Sequence, residues 1–457
     1  MAKSYEQLIQ PKPFRRGLDL SHFQAVAAPS IEEMPVPKRV YIPLKQHKGS
    51  WCQPKVAVGD QVKMGQVLGE SADPESAPVH ASVSGEVLSL GDQVDPFGRK
   101  VPTVIIENNG QDEWLTPPTA NPAYMKKKVS AMIKAVRESG LVQTATGKPI
   151  NTLLAPPERP RSYIFLVGIP LFRPIELLVA SALDCESTVS VNRSLLAAYP
   201  GEVHQGIELI KKLVGAKNAV LALEDDFKPP PGWLGAVTGD GLEIVSIKNR
   251  YPVARPELLT TALTGREVPW PGGDTRDVGV LVLNIKAILG VLEAVRSGRP
   301  QIDRVISLRG TEISSRNIKV RLGTPLSDVL AFAGTSFDRA AKVVMGGLMD
   351  GSAQYDPRTP VTKQTPAVQI LTSRDLVEIT EQLCIKCGRC VSVCPMRLLP
   401  NVMTNYCEFG RFEDAAEAEL FSCIECGCCA YVCPARRPLV HYVKHGKAEV
   451  TAMRAAR

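Results

Sequence analysis

The chain is predicted to be a multidomain α/β protein with a helical, cysteine-rich end. Its 457 residues exceed what one hydrophobic core serves, so three or four domains are expected. Apolar residues alternate with period two over about 38–108, and beyond about 126 strand-like runs alternate with helical ones. Ten of the 12 cysteines lie between Cys384 and Cys433. An apolar share of 44% and a charged share of 22% fit a globular chain, and no unbroken apolar run of about 18 residues offers a membrane span. The start "MAKSYEQLIQPKPFRRG" lacks the apolar stretch and cleavage site of a secretory signal, so a reducing, cytoplasmic setting is expected. Crowded cysteines in such a setting point to metal rather than to disulfides.

Residues 1–35 read as an N-terminal extension and 36–125 as a β domain of short strands, "KRVYIPL", "KVAVGDQVKMGQVLGE", "APVHASVSGEVLSL" and "VPTVIIEN", with Gly59, Gly65 and Gly85 at turns. The pattern V-x-V-G-D-x-V-x-x-G-Q followed by V-x-A-x-V-S-G-x-V resembles the barrel-sandwich fold of lipoyl and biotinyl carriers. Carriers need a lysine at the hairpin tip, and "SADPESAPVH" has none, so a structural or docking module is expected. Over 126–300, Val129, Met132, Ile133 and Val136 follow helical spacing with Gly140 as the C′ residue. "YIFLVG", "AVLALE" and "VGVLVLN" read as buried strands and "GIELIKKLVG" as a helix, which predicts an α/β layer with mainly parallel pairing. "RVISLRG", "IKVRLGTPLSDVLAFAG" and "AAKVVMGG" predict a small strand–helix domain over 301–365, and "YDPRTPVTKQTPAVQIL" a connector. Residues 366–445 hold the cysteines.

The net charge of +7 is modest, but a tail at 446–457 and the residues before it carry Arg436, Arg437, Lys444, Lys447, Arg454 and Arg457 against Glu449. Such an end suits anionic lipid, an acidic partner or simple solvation. No aromatic-interleaved basic stripe accompanies it, so nucleic acid is not an expected partner. His47, His80, His204, His441 and His445 are scattered, show no Cys–His pair, and read as surface or packing residues.

Cys384, Cys387, Cys390 and Cys394 are spaced C-x2-C-x2-C-x3-C-P, and Cys423, Cys426, Cys429 and Cys433 repeat the spacing. One loop supplies three thiolates to a cubane, and in two-cluster ferredoxins the fourth cysteine serves the other cluster. Cys384, Cys387, Cys390 and Cys433 are therefore expected to hold one [4Fe-4S] cluster, and Cys423, Cys426, Cys429 and Cys394 the second. Paired structural zincs would instead show C-x2-C knuckles without a third cysteine. Cys407 and Cys428 are supernumerary, and Cys428 reads as a small buried side chain.

With these runs, "IPLKQHKGSWCQPKVAVGDQVKMGQVLGE", "ALTGREVPWPGGDTRDVGVLVLN", "VRLGTPLSDVLAFAG", "KVVMGGLMDG" and "PVTKQTP" make nearly the whole chain resemble the C subunit of Rnf-type electron-transport complexes. The resemblance implies a barrel-sandwich domain, a Rossmann-like α/β domain akin to the flavin subunit of respiratory complex I, a β-grasp-like SLBB domain and a two-cluster helical domain. It also implies a peripheral place on the cytoplasmic face of the membrane among other redox subunits. The flavin pattern departs, however. Where the family has G-x-V-G-x-G-G-A-G-F-P, this chain has "GLVQTATGKPI" at 140–150, with Gln143, Ala145 and Thr146 for glycines and Lys148 for the aromatic. Reading "VGIPLFRP" at 167–174 instead recovers no glycine loop, Ser187 replaces a proline after Asp184, Cys185 and Glu186, and "YPVARPELL" lacks a glycine before its glutamate. Because a Cβ both restricts φ and fills ligand space, a scaffold without FMN or NADH is expected.

The expected function is thus a single-electron relay through two [4Fe-4S] clusters, between a ferredoxin-like or cytochrome partner and membrane redox subunits. The rival is an FMN-containing NADH–ferredoxin oxidoreductase subunit, with FMN on Asp184, Glu186 and Lys148; a corrinoid-reductase relative is the third reading. If catalytic, the chain is an oxidoreductase of the ferredoxin–NAD(+) ion-translocating type.

Overall fold

The computed structural model describes residues 12–21, 30–155, 174–377 and 380–456. "YIFLVG" and nearly all of "VGIPLFRP" lie outside the described residues.

Two small sheets form the β domain. One runs Arg39–Pro43, Lys100–Asn108, Gly85–Val94, Gln61–Val62, and the other Gln53–Pro54, Val67–Glu70, Val79–His80. Alternate residues of each strand point between them, so that Val40, Ile42, Leu68, Val79, Val87, Val104 and Ile106 are sealed in one core. Gly59 and Gly65 take positive φ at turns, as expected. Gly85 differs: it begins a strand, where a Cβ would lie 1.8 Å from the Glu107 carbonyl oxygen, so close backbone approach requires glycine there.

The α/β layer is a four-stranded parallel sheet in the order Leu242–Ile247, Asn218–Glu224, Leu177–Ser181, Val280–Asn284. Helices Val129–Glu138, Val191–Ala198, Pro200–Val214 and Ile285–Ser297 pack on one face, and Pro256–Thr264 on the other. Burial on both faces explains why "AVLALE" and "VGVLVLN" are almost wholly apolar. The internal strand Leu177–Ser181 was not anticipated; five residues embedded in "RPIELLVASALD" carry too little periodicity to announce a strand.

A six-stranded mixed sheet follows, in the order Ile31–Glu33, Arg316–Arg321, Asp303–Gly310, Ala367–Leu371, Lys342–Met345, Ser352–Gln354. It corrects two expectations. Ala367–Leu371 ends the expected connector but lies inside the sheet, parallel to Asp303–Gly310 and antiparallel to Lys342–Met345. Its Val368 and Ile370 are buried with Ile306, Val329 and Val343, and that burial overrides the local proline signal. The N-terminal extension is likewise built in: Ile31–Glu33 adds a parallel edge strand, and Leu18 exchanges backbone hydrogen bonds of 2.9 Å with Tyr251.

The cysteine-rich end is helical, with Arg389–Val393, Pro400–Glu408, Phe412–Glu417, Cys428–Tyr431 and Leu439–Ala455. The basic stretch is no separate tail. Helix Leu439–Ala455 runs through it, burying Val443, Gly446 and Val450, and Lys447 Nζ donates to the Cys423 carbonyl at 2.7 Å. Gly446 is required because a Cβ would stand 2.3 Å from Cys407 Sγ, which packs in the same core.

Candidate functional site

The two cysteine runs share one backbone design. Lys386 and Glu425, each just before the second cysteine, have φ of 56° and 57°; Gly388 and Gly427 have 74° and 81°; Arg397 and Arg436 have 58° and 50°. In each run the first two left-handed residues turn the chain between its first and third cysteines, and the third turns it again after the Cys-Pro.

Cys384, Cys387, Cys390 and Cys433 line one cavity, and Cys394, Cys423, Cys426 and Cys429 line another. Cys428 also lines the second cavity, but leaving that supernumerary residue aside, each cavity takes three motif cysteines from one run and one from the other. Their surroundings differ: Cys384 and Cys387 are exposed, whereas Cys394, Cys426 and Cys429 are buried. The buried loop is clamped by the α/β layer: Tyr251 donates its hydroxyl to the Cys426 carbonyl at 2.6 Å and Trp270 its indole N–H to the Ser422 carbonyl at 3.1 Å, while from the N-terminal segment Arg16 donates two bonds to the Val391 and Cys394 carbonyls of the first run. Among the described residues no three His, Cys, Asp or Glu side chains converge on a single metal ion. In a cubane each thiolate meets its own iron, so its ligands stand further apart than those of one ion. Cys428 is fully buried against the Tyr251 carbonyl, 4.0 Å from its Sγ.

A third, larger cavity of about 570 Å³ opens at the carboxyl ends of the parallel strands. It sits where Leu177–Ser181 has Asn218–Glu224 on one side and Val280–Asn284 on the other, the crevice that open α/β sheets offer to ligands. Its wall includes Asp184, Lys286, Arg304 and, across the domain junction, Cys423.

The three residues considered for a flavin are not brought together there. Asp184 lines the cavity, but its carboxylate accepts the Asn192 and Arg193 amides at 2.8 and 3.3 Å; burial pushes its pKa up to about 6. Glu186 turns away and accepts the Leu348 and Met349 amides at 2.6 and 2.9 Å, with burial foremost, then the Asp350 charge, raising it to about 7. Lys148 pairs with Asp274 at 2.8 Å. Gly347 makes room for the Glu186 contact: a Cβ would lie 2.0 Å from Oε2. Gly347→Ala is accordingly expected to break both amide bonds and lower stability by ~1–3 kcal/mol, read by urea unfolding.

Three family models cover most of the chain: the RnfC barrel sandwich hybrid domain at residues 12–111, the Nuo51 FMN-binding domain at 167–293 and a 4Fe-4S dicluster domain at 376–434. The C subunit of a proton-translocating ferredoxin:NAD(+) oxidoreductase complex from Clostridium ljungdahlii is 33% identical over 444 residues, 96% of this chain and 94% of that relative. The chain belongs to this C-subunit family. The corresponding subunit of a Na(+)-translocating complex from Acetobacterium woodii is 32% identical, covering 92% of each chain. One from Pseudomonas aeruginosa is 33% identical over 93% of this chain, which spans 54% of that relative's length. Among solved structures, a chain of an NAD+-reducing [NiFe]-hydrogenase aligns at a TM-score of 0.47 and 15% identity, over 74% of this chain and 68% of that one.

The resemblance read from the sequence thus holds, and with it the barrel-sandwich, FMN-domain and dicluster organisation. Within that family frame the residues present do not fit a flavin phosphate. The segment in the glycine loop's place is hydrogen-bonded to itself: Gln143 N–H donates to the Lys148 carbonyl and Gly147 N–H to that of Gln143, both at 2.8 Å. The Gln143 side chain accepts the Thr146 hydroxyl at 2.6 Å, and Gln143, Thr144 and Ala145, each carrying a Cβ, are among the residues that line the cavity. Sequence reading missed two clusters of residues. Lys286 and Arg304 stand in unremarkable runs, "LNIKA" and "DRVIS", and nothing in either hints at a shared cavity. The buried contact of His47 Nε2 with Cys52 Sγ at 3.3 Å overturns the expectation of no Cys–His pair, a pairing made by a turn that brings residues five apart together.

Proposed function

We propose that the chain is the iron–sulfur relay subunit of an Rnf-like complex, holding one [4Fe-4S] cluster on Cys384, Cys387, Cys390 and Cys433 and a second on Cys394, Cys423, Cys426 and Cys429. The observation that carries this reading is the mixing of the two runs around two cavities. Each cluster, when bound, accepts and releases one electron at a time. The exposed Cys384 and Cys387 leave the first quartet open to a docking partner, for which a ferredoxin-like carrier or a cytochrome is the candidate. The second quartet is kept dry by the Tyr251 and Trp270 contacts and faces the interior of the molecule.

The α/β layer is read as a Rossmann-like scaffold and the mixed sheet as a β-grasp-like SLBB module. With the barrel sandwich, they dock the protein peripherally on the cytoplasmic face, against membrane redox subunits. Among the described residues no helix is long and apolar enough to cross a membrane. NADH oxidation is not part of this reading, because a hydride carries two electrons and needs a flavin to divide them. Anaerobically purified protein is expected to contain about eight irons, little FMN, and a visible spectrum that dithionite bleaches and NADH does not. Stoichiometric FMN with bleaching by NADH would replace this reading with the flavoenzyme one.

A further inference from the structure

Three residues present polar atoms to the α/β cavity that no described residue satisfies. Lys286 Nζ, Arg304 Nε and Nη1, and Ser181 Oγ are all buried without a hydrogen-bond partner, and all three residues line the cavity. Arg304 is 2% exposed and Ser181 3%. Such orphans are rare, because each gives up its hydration without a replacement partner. Several around one cavity outline a missing ligand.

Their chemistry fixes its charge. Of the four acidic groups on the same wall, three are engaged: Asp184 by two amides, Asp350 by Arg255 at 3.6 Å, and Glu425 by Lys447 at 2.7 Å; the fourth, Glu257, stands in the first turn of helix Pro256–Thr264, where its charge acts on Arg255. Among the described residues neither cation is ion-paired with an acid: Asp303, already paired with Arg299 and Lys319, acts on Lys286 only through its charge, and Arg304 Nη2 makes a single neutral bond to the Thr144 hydroxyl at 3.1 Å. Lys286 also stands in the first turn of helix Ile285–Ser297, whose aligned peptide dipoles add positive potential at that end. Burial, with Arg304 beside it, holds the Lys286 ammonium well below its ordinary value, as befits a cation that lacks its counter-charge.

We propose that this cavity binds a small phosphorylated ligand other than a flavin, gripping the phosphate with the side chains of Lys286, Arg304 and Ser181 instead of with a glycine-rich backbone cradle. The self-bonded loop at 143–148 argues against the flavin ring, and the paired cations with a hydroxyl match a phosphate dianion's acceptors. Because Cys423 shares the wall, a bound ligand would lie beside the buried cysteine quartet.

The test uses anaerobically prepared, iron-loaded protein in a phosphate-free buffer, with inorganic phosphate, glycerol phosphate and FMN as separate probes in calorimetry and thermal melts. The wild-type protein is expected to bind the two non-flavin phosphates and to melt higher with them. Lys286→Met and Arg304→Met should each weaken that binding by about tenfold or more, while Lys286→Arg retains it. Unliganded Lys286→Met should melt about 2–4 °C higher than wild type, since an unpaired buried cation is removed, which also shows that the variant folds. The proposal is overturned if neither phosphate binds, if binding is unchanged in both methionine variants, or if FMN binds more tightly than glycerol phosphate.

Discussion

Cys433→Ser is expected to remove the same cluster as Cys384→Ser, although the two residues belong to different runs. Iron should fall from about eight to about four per chain in either variant, and the same one of two reduced-state EPR signals should vanish. The double variant should lose no more than either single one, since both act on one unit. If each run held its own cluster, the double variant would lose both. Cys394→Ser should in turn behave like Cys423→Ser. It should also cost more stability, because Cys394 is buried and Arg16 clamps its carbonyl to the N-terminal segment, whereas Cys384 is exposed. Urea unfolding of the four single variants measures that difference.

Lys363→Ala is expected to be among the most destabilising single changes outside the cysteines. Lys363 is fully buried at a three-way junction. Its Nζ donates to the Pro78 carbonyl of the β domain at 2.8 Å and to the Gly140 carbonyl of the α/β layer at 2.7 Å, while its backbone N–H donates to Gln46 Oε1 at 3.0 Å. Truncation leaves a cavity and two unpaired carbonyls, a loss of ~3–5 kcal/mol near pH 8.

Against this stands the cost of a buried cation. Burial lowers Lys363 to about 7, and among the described residues no carboxylate pairs with the ammonium. The sign follows from proton counting. Between about pH 7 and the ordinary lysine value of 10.5, the unfolded chain binds more protons than the folded one, so stability rises with pH, by at most about 1.4 kcal/mol per unit. The alanine variant loses this slope, and its deficit relative to wild type should be smaller at pH 6 than at pH 8. His47 and His80, lowered to about 4 and about 3 chiefly by burial and then by the Lys363 charge, add a second window. Their contribution is present above pH 6.5 and is lost as pH falls through those values. Unfolding curves at pH 4, 6 and 8 check both windows; a deficit independent of pH would mean that Lys363 keeps its proton in the fold as it does in the unfolded chain, with no lowering by burial.

Much of this was written locally. The C-x2-C-x2-C-x3-C-P spacing named eight cysteines, and the V-G-D and V-S-G turns marked the β domain, because three thiols of a quartet or one hairpin lie within reach of a single loop. The loss of loop glycines was equally local, and the self-bonded segment at 143–148 is its consequence. Features closed over long distances were not legible in this way. Leu177–Ser181 takes its place by pairing with strands about 40 and 100 residues later. Ala367–Leu371 is internal only because two other strands flank it. Lys363 reads as one more lysine in "PVTKQTP" until Pro78 and Gly140 close around it, and Lys286, Arg304 and Ser181 acquire a common purpose only when a sheet and a neighbouring domain wall them in. Spacing determines which groups one turn of chain can gather; whether a buried charge finds a partner is decided by packing between segments hundreds of residues apart.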